Sequence, residues 1–125
     1  MNALLAGAVS GMTAVALSAF GAHALEGVLS GQAMDTFQTA ADYQFYHSLA
    51  LVFVALLGIN YPGSKKLKWS AGLFTVGIVL FSGSLYLLSL SGIRWLGMIT
   101  PLGGVSFILG WLLLAVFAAR DYSRT

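Results

Sequence analysis

The chain has 125 residues, 58% of them hydrophobic and only 8% charged, with a net charge of +2 and no cysteine. A soluble domain carries about 25% charged residues, and a chain this short has too much surface for its volume to hide so much apolar side chain from water, so lipid must solvate the excess. Low charge with high apolar content argues against disorder, the missing cysteines remove disulfides and thiolate chemistry, and six basic residues are explained as membrane-orientation signals rather than a nucleic-acid footprint.

Met1–Ala22, Tyr43–Ser64, Trp69–Ile93 and Trp95–Ala119 hold no Asp, Glu, Lys or Arg. Each run is long enough for a helix to cross a bilayer, which takes about 20 residues, and a helix satisfies its own backbone in hydrocarbon. The predicted fold is all-α: a single domain, 1–125, of four transmembrane helices at about residues 3–22, 36–60, 69–91 and 95–118, with a short interfacial segment between the first two. In the first span, Gly7-xxx-Gly11 and then Ala14-xxx-Ser18-xxx-Ala22 form a small-residue face that lets helices approach closely. Ala22-His23-Ala24 has the form of a leader cleavage site. The run before it lacks a basic start and is longer than a usual leader core, so the span is expected to be retained.

After the first span come His23 and Glu26 and a mixed stretch that predicts a short interfacial helix or loop. Asp35 with Gln38 fits a capping box, which starts helix 2 near Thr36. Around helix 2, Asp35, Thr39, Asp42, Tyr43, Tyr46 and His47 fall within one arc of roughly 140°. Lys65, Lys66 and Lys68 follow span 2, and Ser82, Tyr86 and Ser89 share a face of span 3. Ser91-Gly92-Ile93-Arg94 is a short turn, so spans 3 and 4 should be antiparallel neighbours. Thr100-Pro101 and Gly103-Gly104 predict a kink in span 4. The lysines share one membrane side with Arg120 and Arg124 and leave only Arg94 opposite. The positive-inside rule then puts both termini in the cytoplasm. Trp69, Trp95 and Tyr122 stand near span ends, as interfacial anchors do.

AFGAHALEG, DYQFYHSLAL, FSGSLYLLSL and ITPLGGVSFILGW occur in that order. Together, from about Ala6 to Arg120, they resemble domain-of-unknown-function family 423, small four-span membrane proteins akin to transmembrane protein 256. The resemblance implies a helical protein of the bacterial inner membrane and brings no biochemical activity with it. It draws attention to Gly21, His23, Tyr43, Gln44, His47, Ser82, Gly83, Ser84, Pro101, Gly103 and Gly104.

The candidate outward polar cluster is His23, Glu26, Asp42, Tyr43, Tyr46, His47, Ser82, Tyr86 and Arg94, with Gly7, Gly11, Pro101, Gly103 and Gly104 as packing and kink positions. The two histidines do not have metal-ligand spacing, and Ser82 and Ser84 lack the nucleophile-elbow pattern. No metal, cofactor or catalytic group is predicted. The inner half of the spans offers no ionisable group for a proton path. Arg94 is expected to pair with Glu26, Asp35 or Asp42. The favoured expectation is a structural or accessory membrane protein whose polar residues latch the helices. Its partners would be membrane lipids, a larger membrane complex, or a second copy through the Gly7–Gly11 face. The alternative is an outward-facing polar pocket for a lipid, quinone or other amphiphile.

Overall fold

The computed structural model describes residues 2–122, so Arg124, which entered the orientation argument, lies outside the described residues. The described residues form helices and turns with no strand. Four helices are long and apolar enough to cross a membrane: α1 (Ala3–Ala24), α2 (Gly31–Asn60), α3 (Lys65–Ser91) and α4 (Arg94–Arg120).

Each start has a local cause. Asn2 Oδ1 accepts from the Leu5 N–H at 3.1 Å and caps α1. Ser30 Oγ accepts from the Ala33 N–H at 3.1 Å and caps α2 at Gly31. Helix 2 therefore begins five residues before the expected Thr36, and Asp35 is not its cap. A hydroxyl cap contributes about 1 kcal/mol, enough to offset the penalty of about 1 kcal/mol for a glycine inside the helix. Ser64 caps α3 through the Leu67 N–H at 3.3 Å, so Lys65, Lys66 and Lys68 lie in its first turn. The α3–α4 turn closes at Gly92, whose φ of 72° is the left-handed conformation that glycine adopts without strain.

The predicted kink in α4 takes another form. Arg94–Met98 is a 3₁₀ turn, and regular helix runs over Thr100–Arg120 with Pro101 in its first turn. A proline there loses no intrahelical hydrogen bond, so Pro101 marks where the α-helix begins. Two single turns of π-helix, Leu17–Gly21 in α1 and Ile78–Ser82 in α3, interrupt the α geometry.

α1 packs chiefly on α2, α2 on α3, and α3 on α4. A core of Ala50, Leu51, Val54, Leu67, Ala71, Phe74, Phe107 and Phe117 fills the centre. Lipid is as apolar as leucine, so close van der Waals packing and interhelical hydrogen bonds must hold such helices together. Glycines supply the approach. A Cβ on Gly7 would lie 2.9 Å from the Ser48 carbonyl oxygen, one on Gly103 2.3 Å from the Phe81 nitrogen, and one on Gly110 2.7 Å from the Phe74 ring. At Gly11 and Gly104 the nearest atoms would be 3.6 and 3.9 Å away, an ordinary contact. The small-residue face of α1 is therefore spent within the chain, against α2.

Candidate functional site

His47 is buried midway along α2, and both of its ring nitrogens have partners. Trp111 of α4 donates its indole N–H to Nε2 at 3.1 Å, and Nδ1 lies 2.7 Å from the Tyr43 carbonyl oxygen. An indole N–H can only donate and a carbonyl can only accept. The proton therefore sits on Nδ1, and the ring is the neutral tautomer. Phe107 stacks on the imidazole with centroids 3.5 Å apart and planes 9° apart. Tyr43 lies over Phe81 with centroids 4.7 Å apart and reaches Phe107 at 6.4 Å. One histidine thus joins α2 to α4 through a bond, a stack and an aromatic cluster.

One turn closer to the start of α2, Gln44 does the same for three helices. Its amide donates to the Ser10 carbonyl of α1 at 2.9 Å, and its Oε1 accepts from the Tyr86 hydroxyl of α3 at 2.6 Å. Ser48 shares a 2.8 Å hydroxyl bond with Ser10 and bonds its own helix at the Gln44 carbonyl, 2.6 Å away. Ser82 donates to the Ala40 carbonyl at 2.7 Å. That carbonyl is a second acceptor site beyond the helix's own ladder, and Ser82 reaches it from the π turn of α3. Between α3 and α4, Ser70 donates to the Gly110 carbonyl at 2.9 Å, Ser106 to the Leu73 carbonyl at 2.6 Å, and Ser84 shares a 2.6 Å bond with Thr100. Among the described residues no buried side-chain nitrogen or oxygen lacks a partner.

The residues singled out from the sequence fall into separate places. His47, Ser82 and Tyr86 belong to this network, with Tyr43 at its exposed edge. Asp42 and Tyr46 face the α1 side instead, where they border a recess of about 210 Å³ with Ser18 and Phe45. Gln38 spans that seam, donating to Ser18 and to Asp42, each at 2.9 Å. His23 and Glu26 approach each other to 3.7 Å with both side chains exposed, and they join nothing else. Arg94 does not pair with Glu26, Asp35 or Asp42. It is exposed beside Ser30, Gln32, Thr36 and Ser89. The described ion pairs are His23–Glu26 and Lys66–Asp121, the latter at 2.8 Å. Among the described residues no three His, Cys, Asp or Glu side chains converge on a metal position.

Gln44, Ser48, Ser10 and Trp111 were not among the candidate cluster. A signal for the first two existed: Phe37, Ala40, Ala41, Gln44, His47, Ser48 and Leu51 repeat at helical spacing and are all buried. Nothing in the spacing of α4 pointed to Trp111.

These features define a small integral membrane protein: four hydrophobic helices cross-linked by buried polar side chains. The family model described as a protein of unknown function (DUF423) matches residues 17–104. The chain is 48% identical over 113 residues to UPF0382 membrane protein SERP0230 of Staphylococcus epidermidis, covering 90% of this chain and 91% of that one. It is 44% identical over 117 residues to UPF0382 membrane protein YwdK of Bacillus subtilis, covering 94% and 95%. It is also 44% identical over 117 residues to UPF0382 inner membrane protein YgdD of Escherichia coli K12, covering 94% and 88%. The chain belongs to this DUF423 family of membrane proteins. No solved structure matches it.

Proposed function

We propose that the chain is a non-catalytic structural or accessory protein of the bacterial cytoplasmic membrane, with both termini on the cytoplasmic side. The observation that carries this is the spending of its buried polar groups. His47, Gln44, Ser48, Ser82 and Tyr86 are the buried or half-buried polar side chains around the candidate cluster, and each is already bonded to another helix or to its own backbone. The faces of α2 and α3 that would line an outward amphiphile pocket touch each other through the Ser82–Ala40 and Tyr86–Gln44 bonds. A protein with this economy offers other molecules its lipid-facing surfaces and short loops. The outer flank of α1, including Leu5, Val9 and Met12, is exposed. Cross-linking in native membranes tests the reading. Capture of a defined membrane complex or a defined oligomer supports it. A strictly monomeric chain with no cross-linked partner overturns it, as does turnover of any substrate that is lost on His47→Gln while the fold is kept.

A further inference from the structure

A large recess among the described residues lies at the opposite end from His23, where α1 begins, α2 ends and α3 begins. It is a groove of about 780 Å³ lined by Leu4, Val54, Ile59, Leu67 and Gly72, with Lys68 among its walls. Gly58 and Gly72 open onto it, and a Cβ built on either meets nothing within 4 Å. From Ser64 to Gly72 the groove follows α3 for about 12 Å at 1.5 Å per residue. That is most of one leaflet of hydrocarbon, about 15 Å. The wall is mostly apolar, with Asn2, Tyr61 and Ser64 also bordering it, and its one charged lining residue is Lys68, midway between Ser64 and Gly72 on a stem long enough to carry the ammonium toward the Ser64 end; that is the chemistry of a single phospholipid molecule.

The charge at that end is unbalanced. Lys65, Lys66 and Lys68 all stand in the first turn of α3, where the helix already presents the positive end of its dipole and a carboxylate would be the stabilising choice. The nearby acid, Asp121, is taken by Lys66 at 2.8 Å. Glu26, Asp35 and Asp42 are at the other end of the helices. Membrane orientation alone explains why lysines occur on this side. It does not explain a slot for a hydrocarbon chain beside one of them.

We infer that this groove is a binding site for one phospholipid with an anionic headgroup, its phosphate held by Lys68 and an acyl chain laid along Gly72 between α2 and α3. Lys68 donates to the headgroup oxygens, and Lys65, which borders the neighbouring recess with Lys66 rather than this groove, does not. The assignment holds whichever side of the membrane the groove faces, and it does not depend on the accessory role proposed above.

Native mass spectrometry of the delipidated full chain in detergent tests it, titrated with dioleoyl phosphatidylglycerol and, separately, dioleoyl phosphatidylcholine. The wild type should retain one phosphatidylglycerol in preference to phosphatidylcholine. Lys68→Ala should weaken the anionic lipid about fivefold or more, the effect of one well-placed lysine, and Lys65→Ala should leave it within about twofold. Gly72→Leu places a side chain in the slot and should reduce retention of both lipids, with the fold kept and stability unchanged or modestly raised, because a Cβ there meets nothing within 4 Å and leucine is the better helix former; Gly58→Leu serves if that variant does not fold. Equal weakening by Lys65→Ala and Lys68→Ala would mean a diffuse basic surface and would overturn the site. Undiminished retention in folded Gly72→Leu and Gly58→Leu would overturn it as well.

Discussion

Gly103 and Gly104 are adjacent, and nothing in the sequence separates their roles, yet the structure assigns them opposite responses to alanine. A Cβ on Gly103 would stand 2.3 Å from the Phe81 nitrogen and 2.7 Å from its Cα and Cβ, all on the facing helix. Carbon contacts settle at about 3.5 Å, so α3 and α4 must part by roughly 1 Å at this level. Backbone cannot turn aside as a side-chain tip can. Overpacking of this kind costs about 1–3 kcal/mol. The separation also stretches Ser106 to Leu73, now 2.6 Å, and Ser70 to Gly110, now 2.9 Å. Hydrogen bonds between membrane helices contribute about 0.6 kcal/mol each. Gly103→Ala should therefore lose about 2–4 kcal/mol. At Gly104 the nearest atom to an added Cβ is a Phe81 ring carbon at 3.9 Å, a normal contact. Gly104→Ala should be neutral, or gain up to about 1 kcal/mol from helix propensity. Reversible unfolding of the purified chain in mixed micelles, followed by circular dichroism, measures both. The reasoning fails if Gly103→Ala unfolds with the wild type, or if the two variants lose the same amount.

Replacing His47 with Ala removes the Trp111 bond, the Tyr43 bond and the Phe107 stack together, and should cost about 2–4 kcal/mol in the same unfolding measurement. Trp111→Phe deletes the donor and trims the indole that packs edge-on to Phe74, and should cost about 1–2 kcal/mol; a loss as large as that of His47→Ala would show that the ring stack contributes little. Gln44→Leu strands the Tyr86 hydroxyl and should lose about 1–3 kcal/mol. Adding Tyr86→Phe to that variant should recover part of the loss, and a double-mutant cycle with no coupling between the two would contradict the network. Lys66 and Asp121 are more than a third exposed, so Lys66→Ala should cost well under about 1 kcal/mol, and less still at high salt. Single cysteines at Glu26 and Lys68, labelled with an impermeant maleimide in intact cells, should react at Glu26 and be shielded at Lys68; the reverse pattern would overturn the cytoplasmic placement of the termini.

The four spans were legible because long runs without charge have one economical solution in lipid. Helix ends were less so. Ser30-Gly31 and Asp35-Gln38 are both plausible starts, and the hydroxyl cap prevailed although a glycine follows it. The polar residues of α2 were legible, but their division between two neighbouring helices was not. An arc of 140° is wide enough to span two neighbours, and here it divides. Asp42 and Tyr46 turn toward α1, and Tyr43 and His47 toward α4. The Arg94 pairing failed for a related reason. A shared membrane side brings charges to one surface without bringing them within reach of each other. The partners of His47 and Gln44 depend on helix rotation, and rotation is set partly by the π turns at Leu17–Gly21 and Ile78–Ser82, which leave no mark in composition or spacing.

The neighbour order of the helices bears on how the chain is made. Each helix meets its main partner as soon as the next one leaves the ribosome, because contacts run from α1 to α2, α2 to α3 and α3 to α4. No finished segment has to wait exposed in the translocation site for a distant mate. The bond from Trp111 to His47 departs from this rule, since it joins residues 64 positions apart. It can form only when synthesis is nearly complete, which makes it the bolt that closes the assembly rather than one of the hinges on which it is built.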